Sequence, residues 1–360
     1  MVYYAIGTMS GSSMDGLDIV FASIEERGGQ WSYEIIQADC IPFPLEWSAQ
    51  LSRITSLSAK ELLLAHTAFG AWMGHTINNF IQQYQLEHKI HLIASHGHTV
   101  FHEPALGMTF QMGDGASIAA ITQLPVVSDL RNMDIALGGQ GAPIVPIGEK
   151  LFWKEFTYFL NIGGIANISI HQEKTIAFDV CPANRVLNLL ANEIGKSFDA
   201  QGEEASKGTL NHALLNELND LDYYTLTPPK SLSNEFGIDT VFAIIQASNL
   251  SIQDKLCTMC HHIAMQIAAH IPASIHATNS KMLITGGGAL NTFLIDCIRQ
   301  EVKAKHIEVD IPPIELIQNK EALVMALIGV LRWREEENVL SSVTGASRSS
   351  VGGALWMGQV

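Results

Sequence analysis

Over residues 2–41, apolar segments alternate with short polar turns: VYYAIG, LDIVFASIEE, a Gly28-Gly29 turn and WSYEIIQADCI. Short runs rich in β-branched and aromatic residues and bounded by glycine predict three successive antiparallel strands. The period then changes. SAKELLLAHTAFGAWMGHTINNFIQQY carries its apolar residues at helical spacing, with Ser58 as N-cap and Glu61 three residues on. HLIASHGHTV predicts a short buried strand ending in a polar loop, GDGASIAAIT a helix opened by the Gly113-Asp114 turn, and LPVVSDLR another buried strand.

The same order returns later in the chain. TYFLNIGGIANISI, a turn at His171–Lys174 and TIAFDV read as strand, Gly-Gly turn, strand, turn and strand. KMLITGGGALNTFLIDCIRQEV reads as a strand, a triple-glycine turn and a helix, and NKEALVMALIGVLRWREEE as a long helix ending in charge. This partial repetition predicts duplicated α/β lobes. The glycine-rich segment Gly138–Pro143 is the expected hinge or boundary. The predicted lobes are 1–140, rejoined by a returning tail at 341–360, and 141–340.

Composition narrows the class. The chain has 360 residues, more than a single core of about 250–300 residues accommodates, which favours two domains. It is 47% apolar and 16% charged, as suits a well-buried α/β enzyme. A net charge of −15 argues against nucleic-acid and anionic-membrane partners, which need a cationic surface. No apolar run reaches the ~18–20 residues of a membrane span, and no secretory signal pattern opens the chain, so a soluble cytoplasmic protein is expected. Five cysteines fit reduced thiols. Cys257-x-x-Cys260-His261 matches a haem-attachment pattern but lies inside an apolar-periodic helix, where a buried face is expected instead.

Several segments carry candidate chemistry. Gly7–Ser13, followed by Asp15-Gly16, is a hairpin turn of small residues whose free N–H groups suit an anion, with a carboxylate beside them for a metal ion or a nucleophile. A comparable turn recurs at Asn161–Asn167, so two phosphate loops, one per lobe, predict a nucleotide in a cleft. Gly286, Gly287 and Gly288 have the strand–turn–helix context of an anion or adenosine site, or form a plain tight turn. Asp179 at a strand end suits a general base or, equally, an N-cap for the helix beginning near Pro182. His96, His98 and His102 read as substrate contacts, structural histidines or, for His98-x-x-x-His102, a metal pair. Asp129, Arg131 and Asp134 beside the glycine segment read as ligand contacts or a structural ion pair. Glu321 reads as a ligand contact or as an acidic residue complementing a helix dipole.

GTMSGSSMDGLD, SHGHTVFHEP, QMGDGASIA, DLRNMDIALGGQGAPIVP, LNIGGIANIS, FDVCPANRVLN, LITGGGALN and NKEALVMA occur in the order seen in anhydro-N-acetylmuramic acid kinases, and the chain resembles that family over nearly its whole length. The resemblance implies the actin, sugar kinase and Hsp70 architecture: two lobes of ribonuclease H-like topology closing over ATP, here used with Mg²⁺ and no protein-held metal cluster. It implies hydrolytic opening of a 1,6-anhydro sugar ring with phosphorylation of the released 6-hydroxyl, in cell-wall sugar recycling, and it is compatible with a homodimer. Gly11, Ser12, Ser13, Asp15 and Gly16 would form the first phosphate loop, Gly163, Gly164 and Asn167 the second, and Gly202 and Gly286–Gly288 further nucleotide contacts. Asp179 corresponds to the base that activates water; His96, His98, Asp114, Arg131 and Glu321 would hold the sugar.

This chain departs from the family's pattern at several positions. Val180-Cys181-Pro182-Ala183-Asn184 replaces Thr-Gly-Pro-Gly-Asn, Asn188 stands for a common aspartate and His98 for a common glutamine. In the segment Asp199–Gly208, Glu203 and Glu204 replace apolar or small residues. Two other readings follow: a metal-dependent carbamoyl transferase of the same superfamily using His98 and His102, and an ATP- and sugar-binding protein that has lost catalysis through Val180 and Cys181. The sequence leaves the redox sensitivity of Cys181 open: it would need a lowered thiol pKa, for which a following helix N-terminus is the available source.

Overall fold

The structure is a computed structural model and describes residues 1–11, 16–228, 230–233, 235–272 and 280–358. Two compact units emerge: Met1–Lys154 with Asn319–Val360, and Glu155–Gln318.

In the first unit, β1 (Val2–Ser10), β2 (Gly16–Arg27) and β3 (Gln30–Pro42) form the antiparallel meander that the alternation predicts. β4 (Leu92–Glu103) runs parallel to β1, β5 (Met108–Met112) folds back antiparallel on β4, and β6 (Val126–Ser128) is parallel to β4. The long helix Ala59–Gln83 is closed at its start by a capping box between Ser58 and Glu61. Its apolar stripe, Phe69, Met73, Ile77 and Phe80, packs with Ile6, Leu17, Ile19 and Ile93 of the sheet. The helix Ile314–Trp333 covers β1 and β4 at backbone distance. A Cβ on Gly7 would lie 1.9 Å from the Ala322 carbonyl oxygen, and one on Gly329 would lie 2.6 Å from Ala94 Cβ.

The second unit repeats the plan. β7 (Tyr158–Ile162), β8 (Ile165–His171) and β9 (Thr175–Pro182) form an antiparallel meander, and β10 (Ser280–Thr285) and β11 (Ile307–Asp310) add in parallel. The order β9-β8-β7-β10-β11 matches β3-β2-β1-β4-β6 position for position. Each unit therefore has the ribonuclease H-like topology. The core lies between this sheet and the helices Asn184–Asn192 and Ile252–Ala269. Cys257 and Cys260 point into it, as expected for a buried helix face. β12 (Ala354–Trp356) returns to pair with β6.

The observed divisions differ from the expected ones at 140 and 340. Residues 141–154 stay with the first unit because the helix Pro146–Phe152 packs on β3; Trp153 Nε1 donates to the Tyr33 hydroxyl at 3.1 Å, and the Tyr33 and Phe152 rings lie 4.7 Å apart. Residues 319–333 of the helix Ile314–Trp333 join it through the small-residue contacts on β1. The glycine segment 138–143 lies well inside the first unit and is fastened there. Asp134, fully buried, accepts from Gly141 N–H and the Thr344 hydroxyl, both at 2.7 Å, and Gln140 N–H donates to the Thr344 carbonyl.

Candidate functional site

In the second unit, the turn at Gly163-Gly164 joins β7 to β8. The register places Asn161 opposite Asn167 and Asn167 opposite Asp179, so three polar side chains stand in a row on one face across three strands. Between Ala166/Cys181 and Asn167/Asp179 the pairing shifts by one, and Val180 is the extra residue of a β-bulge beside Asp179. β9 continues to Pro182, and the next helix has Ala183 as its N-cap with no side-chain bond. Asp179 is therefore not a helix cap. Its Oδ2 accepts from Leu232 N–H at 2.9 Å, its backbone N–H donates to the Lys230 carbonyl at 3.1 Å and its own carbonyl accepts from the Tyr223 hydroxyl at 2.7 Å. Partial burial pushes the carboxyl up and the Leu232 N–H opposes this. A fixed carboxylate of raised basicity suits proton abstraction.

The candidate glycines of the two units fall into two classes. Gly286 has φ 80° and its Cβ would meet the Ile162 carbonyl oxygen at 2.7 Å, while a Cβ on Gly288 would sit 2.2 Å from Ile162 Cγ2. Gly202 is packed against Asn291 and Phe293 in the same way, and Gly16 against the Ile41 carbonyl. The fold itself requires these four. At Gly163, Gly164 and Gly287 an added Cβ meets nothing nearer than 3.6 Å, and none of the three has a positive φ. Nothing among the described residues demands glycine there, which fits a cradle where backbone meets a bulky ligand group. The carbonyls of Gly163 and Gly164 accept from the N–H groups of Asn184 and Ala183, so those first amides of the following helix are already bonded within the fold.

The segment Asp199–Gly208 is fixed by its own charges. Asp199, buried, accepts from Glu204 and Ala205 N–H groups at 2.8 and 2.9 Å. Glu204, one of the departures, pairs with Lys196 at 2.7 Å and Lys207 at 3.0 Å. Cys181 is fully buried and its thiol is pushed far up by burial, the opposite of a redox-sensitive cysteine.

In the first unit, β4 extends to Glu103, so His96, His98 and His102 all stand on a strand and not in a loop. At about 3.3 Å per residue, His98 and His102 are about 13 Å apart along β4, too far to share an ion. Among the described residues no His, Cys, Asp and Glu group is arranged to hold a metal. His96 is buried; its Nδ1–H donates to the Gly97 carbonyl and its Nε2 accepts from Arg131 Nε at 2.8 Å. Burial, together with the Arg131 charge, brings its pKa down to about 3, so the ring is neutral. Arg131 also donates from Nη1 to the Gly141 carbonyl at 2.7 Å, and burial lowers its pKa to about 10. Its bonds are to His96 and the glycine loop, where an ion pair with Asp129 or Asp134 is one of the two readings of the sequence.

His98 pairs through Nδ1 with the Ser10 hydroxyl at 2.9 Å, and His102 through Nδ1 with Thr109 at 3.0 Å. Asp114 is the N-cap of the helix Gly115–Thr122, where Oδ2 accepts from Ser117 N–H, and its Oδ1 faces His66 Nε2 at 3.9 Å. Glu321 sits two turns into its helix, beyond the reach of the N-terminal dipole. Its side chain meets solvent, yet surrounding protein and Asp18 raise its carboxyl while Lys320 and Arg131 lower it. Beside it, Lys320 and Glu149 form a buried ion pair at 2.9 Å. Ser12, Ser13 and Asp15 lie outside the described residues; Gly11 and Gly16 flank them. Sequence reasoning missed Lys230, Tyr223, Lys320 and Glu149, whose partners are distant in the chain.

Comparison with known proteins follows the same lines. The family model for anhydro-N-acetylmuramic acid kinase matches residues 3–358. A relative of that name from Vibrio parahaemolyticus is 31% identical over 98% of this chain and 97% of its own. Another from Pseudomonas savastanoi pv. phaseolicola is 34% identical over 82% of this chain and 83% of its own, and one from Shewanella denitrificans is 32% identical over 98% of each.

Proposed function

The chain belongs to the anhydro-N-acetylmuramic acid kinase family, and from that premise we propose how its residues divide the work of a kinase that consumes ATP and an anhydro amino sugar of the cell wall. Asp179 takes a proton from water as that water attacks the anomeric carbon. The bond from that carbon to the 6-oxygen breaks, and the 6-oxygen takes the γ-phosphoryl group. The products are ADP and N-acetylmuramic acid 6-phosphate.

The observation that carries this reading is the state of Asp179. It is half-buried on a bulged strand, with its backbone bonded on both sides and a single carboxylate oxygen bound to Leu232 N–H. Gly163, Gly164 and Gly287, together with Asn167, supply backbone and amide contacts for the phosphates of ATP. Mg²⁺ would neutralise phosphate charge, and as an ion that keeps much of its water it needs few protein ligands. His98, Arg131 and Glu321 are assigned to the sugar, with His96 holding the Arg131 guanidinium and Asp114 holding the helix that follows β5. Gly11, Ser12, Ser13, Asp15 and Gly16 complete the phosphate contacts in this reading, Gly202 and Gly286–Gly288 shaping the nucleotide side. Action in the cytoplasm is part of the proposal, as is assembly as a homodimer, which rests on family resemblance. No helix among the described residues is long and apolar enough to cross a membrane.

Asp179→Asn tests the assignment. The variant keeps shape and removes the base, so turnover should fall by roughly 10²–10⁴-fold with ATP and sugar affinities and thermal midpoint nearly unchanged. A fully active variant would remove Asp179 from the mechanism.

A further inference from the structure

A closed ring of hydrogen bonds passes through Asp179, Tyr223 and Lys230. Lys230 Nζ donates to the Tyr223 carbonyl at 3.1 Å and to His270 Nε2 at 2.7 Å, and it lies 4.4 Å from the centre of the Tyr223 ring. The His270 tautomer is set by its other nitrogen: Nδ1–H donates to the Gln266 carbonyl at 2.8 Å, leaving Nε2 as an acceptor. Tyr223 in turn donates its hydroxyl to the Asp179 carbonyl, Asp179 N–H donates to the Lys230 carbonyl, and Leu232 N–H reaches Asp179 Oδ2. The Lys230 side chain thus ties the strip 230–232 to Tyr223 and to the end of the helix Ile252–Ala269, and the strip carries the hydrogen bond that orients the carboxylate.

We propose that Lys230 is a positioning residue for Asp179, holding the Leu232 N–H against Oδ2 by fastening its own strip to Tyr223 and His270. The proposal rests on the reading of Asp179 as the base. Without the ammonium, Tyr223 and His270 no longer grip the strip, the Leu232 bond loosens and the carboxylate loses its fixed aim. The same loss moves the titration of Asp179, because that N–H bond favours the ionised form while burial disfavours it. Tyr223 and Cys181 are both pushed far upward by burial and do not mimic the effect. His270 is held down by burial and by Lys230, so it too would rise without the ammonium; His270→Phe, which has no ring nitrogen to titrate, separates its response from that of Asp179.

The test is the pH profile of kcat for the full-length wild-type enzyme, Lys230→Met, Lys230→Arg and His270→Phe, with Asp179→Asn alongside. For Lys230→Met the expected result is a roughly tenfold lower kcat, KM values for ATP and sugar within about twofold, and an acid limb moved to higher pH by about 0.5–1 pH unit, the worth of one hydrogen bond. Lys230→Arg should restore most of the wild-type profile, since it keeps the charge and its donors. His270→Phe removes one anchor and should shift the limb in the same direction by less; it also serves if Lys230→Met does not fold. A wild-type acid limb in both Lys230→Met and His270→Phe, with Asp179→Asn inactive, overturns the positioning role and leaves the base in place. An active Asp179→Asn enzyme overturns the base assignment and this proposal with it.

Discussion

Two sheets with the same strand order place their polar residues to different ends. In the first unit, His96, Arg131 and Asp134 are bonded to one another's neighbourhood: ring to guanidinium, guanidinium to the Gly141 carbonyl, carboxylate to Gly141 N–H and Thr344. They fix a loop. In the second unit, Asp179 stands on β9, the third strand of its meander, with its backbone held and, among the described residues, its carboxylate bound by a single amide. The same unit carries glycines whose added Cβ would meet no described residue nearer than 3.6 Å. Duplication gives the same scaffold twice, but only the groups left incompletely bonded are available for chemistry. A polar residue that the fold has fully satisfied positions others.

The sharpest way to break this comparison is the contrast among glycines. Gly163→Ala and Gly287→Ala should raise the KM for ATP by roughly 10–100-fold while shifting stability by less than about 0.5 kcal/mol, because their Cβ atoms meet only a ligand. Gly288→Ala places its Cβ against Ile162 and should cost about 1–3 kcal/mol of stability, read by chemical denaturation. A Gly287→Ala enzyme with normal KM would dissolve the distinction.

A smaller effect separates the two aspartates. Asp134→Asn turns one of two buried acceptor oxygens into a donor, which either faces Gly141 N–H or obliges the Thr344 hydroxyl to turn from donor to acceptor, so stability should fall by about 1–2 kcal/mol, while the folded fraction keeps its kcat within about threefold. This is the converse of Asp179→Asn. If Asp134→Asn instead loses turnover with stability intact, the first unit's loop is part of the chemistry and the comparison fails.

The mildest expectation concerns acid. His96 in one unit and His262 in the other are buried and neutral, each lowered from 6.5 to about 3 mainly by burial. His262 is held by Asn219 at 2.7 Å and Tyr224 at 2.9 Å. Because the folded values are the depressed ones, the unfolded chain binds protons first as pH falls below 6.5. The stabilisation is complete above that pH and is lost progressively down to about 3. Between pH 7 and 5 each should account for about 1–2 kcal/mol of lost stability. His262→Gln should flatten the curve of denaturation midpoint against pH; an unchanged slope would show that the ring is charged in the fold.

Much of this architecture is legible in the sequence, because periodicity reports local burial. The meander over 2–41, the capped helix at Ser58 and the repeat after Tyr158 follow from apolar spacing and glycine turns. Three features depend on contacts that spacing does not encode. β4 continues through His98 to Glu103 because β5 folds back to satisfy its backbone, so a polar sequence forms a strand. Asp179 is not a cap because β9 continues past it to Pro182. The helix holding Glu321 begins at Ile314, ahead of the charged Asn319-Lys320-Glu321 that resembles a helix start. Among the site residues, those in glycine turns are visible from composition alone. Lys230 and Tyr223 are not, since their value comes from partners 40 or more residues away.

The central claim is that water opens the sugar ring as the 6-oxygen takes the phosphoryl group. Its most direct test is a single turnover of the enzyme with ATP and 1,6-anhydro-N-acetylmuramic acid in ¹⁸O water, quenched before the product hemiacetal exchanges and analysed by mass spectrometry. The account predicts a 6-phosphorylated sugar with one ¹⁸O on its anomeric carbon and an unlabelled phosphoryl group. Label in the phosphate with the sugar ring intact would contradict it.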